Sequence, residues 1–375
     1  MNRNLFAAFI CVSILIGPLP TLAASTTGIA FTMGDNRDGQ LGNGSTGGLA
    51  RGAIVPTSLG GRLIKQVDGG FSHSLLLAED GVVFTFGHNG NGMTGLGTAI
   101  GSTLIATPID TTNLGGHPIA QVATGSDHSL LLADDGTVFG FGMDLQGRTG
   151  LGNSGGRTTI ATPIDTTNLG GRAITQIAAS FSHSLLLADD GTVFSFGNNA
   201  GGKTGLGLIN GETLIATPID TSNLGGRTIT QIAAGDSHSL LLADDGTVFS
   251  FGDNRDFGAT GQGTFTGSTT VATSIDDSNL GGRVITQIAA GGLHNLLLAD
   301  DGTLLTFGDN NFGQGAIGPI EITAVATPSN LPELDGQTIT QIAGGQNHSL
   351  LIVIPEPASM SLLGLGGLVV LRRGR

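Results

Sequence analysis

Between residues 28 and 354 the chain alternates short apolar runs with clusters of Gly, Asn, Asp and Thr, and the same sequence of runs returns six times. The third copy shows the unit. Ile174 to Ala179 has strand character, and His183 to Ala188 is an apolar run too short for a helix and bounded by turn residues, consistent with a buried strand. Asp189-Asp190-Gly191 predicts a hairpin turn, since Gly accepts the positive φ that such turns require. Thr192 to Phe196 returns as a strand of β-branched and aromatic residues. A fourth short strand is expected around Thr162 to Asp165, ahead of the Asn168-Leu169-Gly170-Gly171 turn. No segment of this region carries a helical period. Each unit therefore predicts a four-stranded antiparallel blade. The histidine of the phrase falls at His73, His128, His183, His238, His294 and His348, spaced 55, 55, 55, 56 and 54 residues apart. Such a constant period marks stacked or radially arranged units.

The pattern P…L-G-G-x-x-I-x-x-I-A-A-G-x-x-H-S-L-L-L-x-x-D-G-x-V-F-x-F-G-x-N resembles the regulator-of-chromosome-condensation repeat, a β-propeller family, over essentially all of residues 28–354. Two departures stand out. The family's Trp before the Gly that ends the third strand is Phe86, Phe141, Phe196, Phe251 and Phe307 here, with Met33 in the first copy. Its Gly-Gln-Leu-Gly survives at Gly39-Gln40-Leu41-Gly42 and elsewhere becomes Thr-Gly-Leu-Gly, as at Thr94 to Gly97. The ends are out of phase: the chain enters with a third strand (Ile29-Ala30-Phe31) and leaves with a second strand (His348 to Val353). Pairing these halves would close a ring of six blades and remove two open edges. The expected fold is all-β, a six-bladed propeller, although well-known members of the family have seven blades.

Residues 1–24 read as a secretory signal peptide, with Arg3 at the start, an apolar stretch from Leu5 to Ile16, and small residues at Leu22-Ala23-Ala24 for cleavage. Cys11, the one cysteine, lies within that stretch, so the exported body cannot use disulfides. Residues 355–375 carry Pro355-Glu356-Pro357, the apolar run Met360 to Leu371, and Arg372, Arg373 and Arg375. This order resembles the PEP-CTERM sorting signal of Gram-negative bacteria. The resemblance implies recognition and removal by an exosortase-type protease, a transient inner-membrane anchor, and a cell-surface or extracellular-matrix destination. The arginines should stay cytoplasmic.

Composition narrows the partners. A formal net charge of −14 repels nucleic acid and anionic lipid. Trp and Tyr are both absent, so a groove of aromatic faces for a ligand would have to be made from Phe alone.

Several constellations invite chemistry. Gly197 to Thr204 matches the phosphate-loop pattern literally, but no helix is predicted after it, and the sibling copies carry Arg148 and Met93 where Lys203 stands. The six histidines lie one per blade, in a ring without metal-ligand spacing, and the family resemblance implies that each imidazole bonds backbone of an adjacent strand or blade. Asp134-Asp135 and Asp244-Asp245 suit turns. The loops after the third strand vary most, and they supply the candidate binding residues Asp35, Asn36, Arg37, His88, Asn89, Asn198, Asn199, Asp253, Asn254, Arg255, Asp309 and Asn310. Their oxygens could take Ca²⁺, though no loop matches a full calcium pattern; otherwise no cofactor is expected. The functional expectation is an exported, non-catalytic scaffold that binds a protein or extracellular polymer through its rims. The alternatives are a secreted propeller lyase or hydrolase with a site on one rim, and, by family analogy, nucleotide exchange on a small GTPase.

Overall fold

The computed structural model describes residues 31–355 except 54–55, 256, 319–321 and 335–336. The predicted signal peptide, its Ala24 junction, and the sorting residues Glu356, Pro357, Arg372 and Arg373 lie outside the described residues. Among those described, no helix is long and apolar enough to cross a membrane.

The chain forms five four-stranded antiparallel sheets, each a meander in sequence order, between a two-stranded sheet at each end. In the third four-stranded sheet the inner strand is Ile174–Ala179, followed by His183–Ala188, Val193–Asn198 and the outer strand Glu212–Pro218. The register His183↔Gly197, Leu185↔Ser195, Leu187↔Val193 follows from the turn between the strands. There the Thr192 amide donates to the Asp190 carboxylate at 2.9 Å, and Arg172 Nε reaches the same carboxylate at 2.6 Å.

The second strand has no polar face because both its faces are covered. Leu186 joins Leu130 and Leu132 of the preceding sheet, while Leu185 and Leu187 join Leu241 and Phe249 of the next. The core therefore lies between sheets, which is why the run reads Leu-Leu-Leu and does not alternate with polar residues. The Phe that replaces the family's Trp is fully buried in five copies, from Phe86 to Phe307. A loop glycine of the preceding blade covers its ring: a Cβ on Gly150 would stand 3.0 Å from Phe196. At φ +75 that position suits Gly twice over, for conformation and for space.

Six inner strands, from Ile64–Gly69 to Gln337–Gly344, supply residues to one central cavity of about 490 Å³. Successive inner strands are tied by a repeated clamp. Gln121 Nε2 donates to the Ile177 carbonyl at 3.0 Å, and the Ile177 amide donates back to Gln121 Oε1 at 3.0 Å.

At the two ends the described strands form local hairpins. Phe31–Asn36 pairs with Gly47–Ala53, and Ser349–Pro355 pairs with Gln337–Gly344. A ladder joining Phe31–Asn36 to Ser349–Pro355 is not among those of the described residues.

Candidate functional site

The repeated histidine is an inter-blade hook. Its ring is buried, and Nε2 meets the residue after the histidine of the next blade: Ser129 from His73 at 2.8 Å, Ser184 from His128 at 2.9 Å, Ser239 from His183 at 2.8 Å, Asn295 Oδ1 from His238 at 2.6 Å, and Ser349 from His294 at 2.9 Å. The partner is a side chain and not the backbone expected from the sequence. Adjacent residues on a strand face opposite ways, so each His reaches forward while the Ser or Asn behind it receives the preceding blade. Burial holds these imidazoles neutral, pulling His73 and His238 down to about 4 and His294 to about 3. The sixth, His348, leaves Nε2 without a hydrogen-bond partner among the described residues.

The rim loops divide in two. Asn36, Asn89, Asn199, Asn254 and Asn310 are buried and hold their own loops. Asn199, for example, donates to the Leu208 carbonyl at 3.0 Å and accepts from the Thr204 amide at 3.1 Å. Asp35 and Asp253 pair with Arg37 and Arg255 two residues on, each at 2.6 Å. Asn198 accepts from the Ala200 amide at 2.8 Å, and Asp309 from the Asn311 amide at 2.9 Å. His88 accepts from the Gly90 amide through Nδ1 at 3.4 Å. These residues are spread over separate sheets.

Convergence occurs elsewhere, at positions the sequence did not single out. The residue two before each histidine (Phe71, Ser126, Phe181, Asp236, Gly292, Gln346) lines one mouth of the central channel. Six similar turns thus present Phe twice, Ser, Asp, Gln and, at Gly292, no side chain. Phe71 and Phe181 expose 42% and 46% of their surface there. Ser126 donates to the Phe181 carbonyl at 2.7 Å and fixes that neighbouring turn.

Beside the mouth lie the cations that stand in place of one another in the repeat. Lys203 Nζ donates to Ser182 Oγ at 2.8 Å and to the Asp236 carbonyl at 3.2 Å. Burial pushes its amine down to about 8 against the opposing pull of Asp236, and burial raises the Asp236 carboxyl against the opposing pull of Lys203. One blade earlier, Arg148 is buried with a guanidinium nitrogen 3.8 Å from Asp127. The phosphate-loop match fails geometrically. Ala200–Gly202 is a single 3-10 turn, Lys203 points between blades, and the next regular element is the strand Glu212–Pro218.

One group among the described residues has ligand atoms close enough for a metal ion: His117, Asp134 and Asp135, all exposed, within 4.8 Å of one another. His117 occupies the place of Arg62, Arg172, Arg227 and Arg283, which pair with the turn aspartate in their own blades, and its Nδ1 lies 3.1 Å from Asp135.

Comparison with known proteins agrees with this architecture. The chain is a repeat-built β protein of the propeller type. Residues 64–92, 119–148, 174–202, 229–258 and 285–314, and in a second form 80–132, 190–242 and 301–352, match the regulator of chromosome condensation (RCC1) repeat, and the chain belongs to that family. Residues 353–375 match the PEP-CTERM protein-sorting motif, which implies export by an exosortase-type system and cell-surface association in a Gram-negative bacterium. The chain is 29% identical over 355 residues to the mouse E3 ubiquitin-protein ligase HERC2, covering 94% of this chain and 7% of that protein. It is 30% identical over 292 residues to the Arabidopsis thaliana ultraviolet-B receptor UVR8, covering 78% and 63%. It thus spans less than two thirds of either relative. Among solved structures, human WBSCR16 aligns with a TM-score of 0.76 at 25% identity, covering 86% of this chain and 81% of that one. Yeast RCC1 (Prp20), solved with Kap60, aligns with a TM-score of 0.74 at 21% identity, covering 91% and 82%.

Proposed function

We propose that this protein is a non-catalytic propeller displayed at the cell surface or in the extracellular matrix, where it binds a matrix component through the face bearing the channel mouth. The observation that carries this reading is the mouth itself. Residues that hold the blades together repeat almost unchanged, while the six that ring the opening differ from blade to blade. A scaffold whose framework repeats while the positions round one opening vary suits recognition, and function on a propeller depends on such grafted positions. The exosortase-type protease would release the chain near Pro355 to Ala358.

The same reading takes the ring as six blades closed by Phe31–Asn36 pairing with Ser349–Pro355. Copying the sibling register places His348 opposite Gly34 and Leu350 opposite Thr32. It also offers the orphaned His348 Nε2 the hydroxyl of Ser74, the residue that follows the first histidine.

Fractionation of the producing bacterium tests the function. The mature protein should be found with surface or extracellular material, and the purified mature form should co-sediment with that material. Retention inside the cell, or failure to co-sediment, would refute the reading. A lyase or hydrolase at the same mouth is a second reading, favoured by the shifted amine and carboxyl of Lys203 and Asp236. Turnover of the captured material that Lys203→Met abolishes would establish it.

A further inference from the structure

The loops that join third and fourth strands are fastened by a buried asparagine at the head of the loop. In four copies its Nδ2 donates to a carbonyl nine or ten residues ahead: Asn36 to Ser45 at 2.9 Å, Asn89 to Thr98 at 3.0 Å, Asn199 to Leu208 at 3.0 Å and Asn254 to Thr264 at 2.8 Å. Its Oδ1 accepts from a backbone amide five or six residues ahead. After Asn310 the corresponding stretch reaches residues 319–321, outside those described.

The remaining copy has Asp144 at this place. Its loop keeps the sibling path: the Asp144 amide donates to the Gly156 carbonyl, as the Asn89 amide does to Gly101 and the Asn199 amide to Gly211. Asp144 Oδ1 accepts from the Thr149 amide at 3.1 Å, in the manner of Asn199 and Thr204, and also from the Thr149 hydroxyl. Asp144 is 1% exposed, yet its Oδ2 has no hydrogen-bond partner among the described residues. The residue nine ahead is Asn153. Where the siblings set an amide donor against a carbonyl, this loop supplies a carboxylate oxygen, and two acceptors cannot bond without a proton between them. A buried polar atom left in that state is costly.

The charged groups around the carboxyl are engaged elsewhere. Arg148, on the same loop, donates through Nε to the Leu145 carbonyl at 2.9 Å, and a second nitrogen lies 3.8 Å from Asp127. Of the strands packed against the loop, Val193–Asn198 carries no charge, and Glu212–Pro218 carries Glu212, which accepts from Ser154 at 2.9 Å. In its own blade Arg157 donates to the Gly90 carbonyl at 3.0 Å, and the Asp165 amide donates to the Gly150 carbonyl. Burial raises the Asp144 carboxyl, against the opposing pull of the Thr149 hydrogen bonds and of Arg148.

We infer that Asp144 is a proton-operated latch on the rim loop 144–157. Protonated, Oδ2 donates to the Asn153 carbonyl and closes the loop as asparagine closes its siblings. Ionised, it leaves that tie unmade. The latch is complete below the unfolded carboxyl value and is lost as pH rises through the raised folded one. The loop bears Arg148, which lies 3.5 Å from Ser126 Oγ at the channel mouth, so the latch sets how firmly this side of the mouth is held.

Hydrogen exchange of the mature protein, read by mass spectrometry on peptides spanning 144–157 and, as internal reference, 199–211, tests the latch. At pH of about 7, Asp144→Asn carries the sibling donor permanently and should raise protection of 144–157 about fivefold or more, with 199–211 unchanged. Asn199→Asp should transfer the behaviour, lowering protection of 199–211 at pH of about 7 and restoring it at about 4.5 after correction for intrinsic rates. No gain from Asp144→Asn at neutral pH, an Asn199→Asp loop indifferent to pH, or a parent 144–157 peptide that gains no protection relative to 199–211 on acidification would overturn the inference. So would restoration by millimolar Ca²⁺ at neutral pH in the parent and not in Asp144→Asn, because a metal ion and not a proton would then be the bridge.

Discussion

The buried histidines make the fold acid-labile in a window that can be worked out in advance. Each imidazole sits neutral against the next blade, so the unfolded chain takes up protons before the native one does. The contribution is complete above the unfolded value near 6.5 and is lost as pH falls towards about 4 for His73 and His238 and about 3 for His294. Each proton bound only by the unfolded state costs about 1.4 kcal/mol per pH unit. Between pH of about 7 and about 5 that is about 2 kcal/mol for each histidine, or about 6 kcal/mol for these three. Native domains have only about 5–15 kcal/mol to lose. The carboxylates that pair with the blade arginines act elsewhere. Asp190 and Asp245 are held down to about 2, first by the hydroxyls of Thr192 and Thr247, so their contribution is lost only in stronger acid. Urea unfolding at pH of about 7 and about 5, followed by circular dichroism because the chain has no Trp or Tyr, measures the loss. His238→Gln, which keeps a donor for Asn295, should lose about 2 kcal/mol less than the parent between those pH values. Stability that stays flat or rises on acidification, or a variant with the parent's slope, would refute the reasoning.

Three further outcomes are expected. Lys203→Ala should leave the protein as indifferent to ATP and GTP in calorimetry as the parent, because no helix N-terminus follows the loop; saturable binding removed by the substitution would contradict this. Thr32→Cys combined with Leu350→Cys should form a disulfide on mild oxidation if the ends pair in the sibling register, with a mobility shift on non-reducing electrophoresis as the readout. Glu356→Ala should leave an uncut precursor in the membrane fraction, and mass spectrometry of the native surface form should find no peptides reaching Arg375.

The rim loops show where reading a sequence for function goes astray. Asn and Asp in turns look like exposed ligand donors, yet Asn89 and Asn199 are buried and spend their amides on backbone groups five and nine residues ahead. Only the path of the loop brings those groups within reach. The inter-blade hook was half legible. The histidine was visible as a structural repeat, but its partner is a serine in the following copy, 56 residues on for His73, His128 and His183.

By itself the amino-acid sequence determined the period, the strands, the turns and the family, because these depend on local alternation and turn chemistry repeated at a constant spacing. It also carried the address, since the sorting motif is a contiguous string that needs no fold to be read. Only the tertiary structure decided which variable positions meet. Residues 71, 126, 181, 236, 292 and 346 are separated by about one repeat each, and they become neighbours solely because six inner strands surround one axis. The contact of Lys203 with the Asp236 carbonyl comes from the same long-range geometry, which no local pattern of residues encodes.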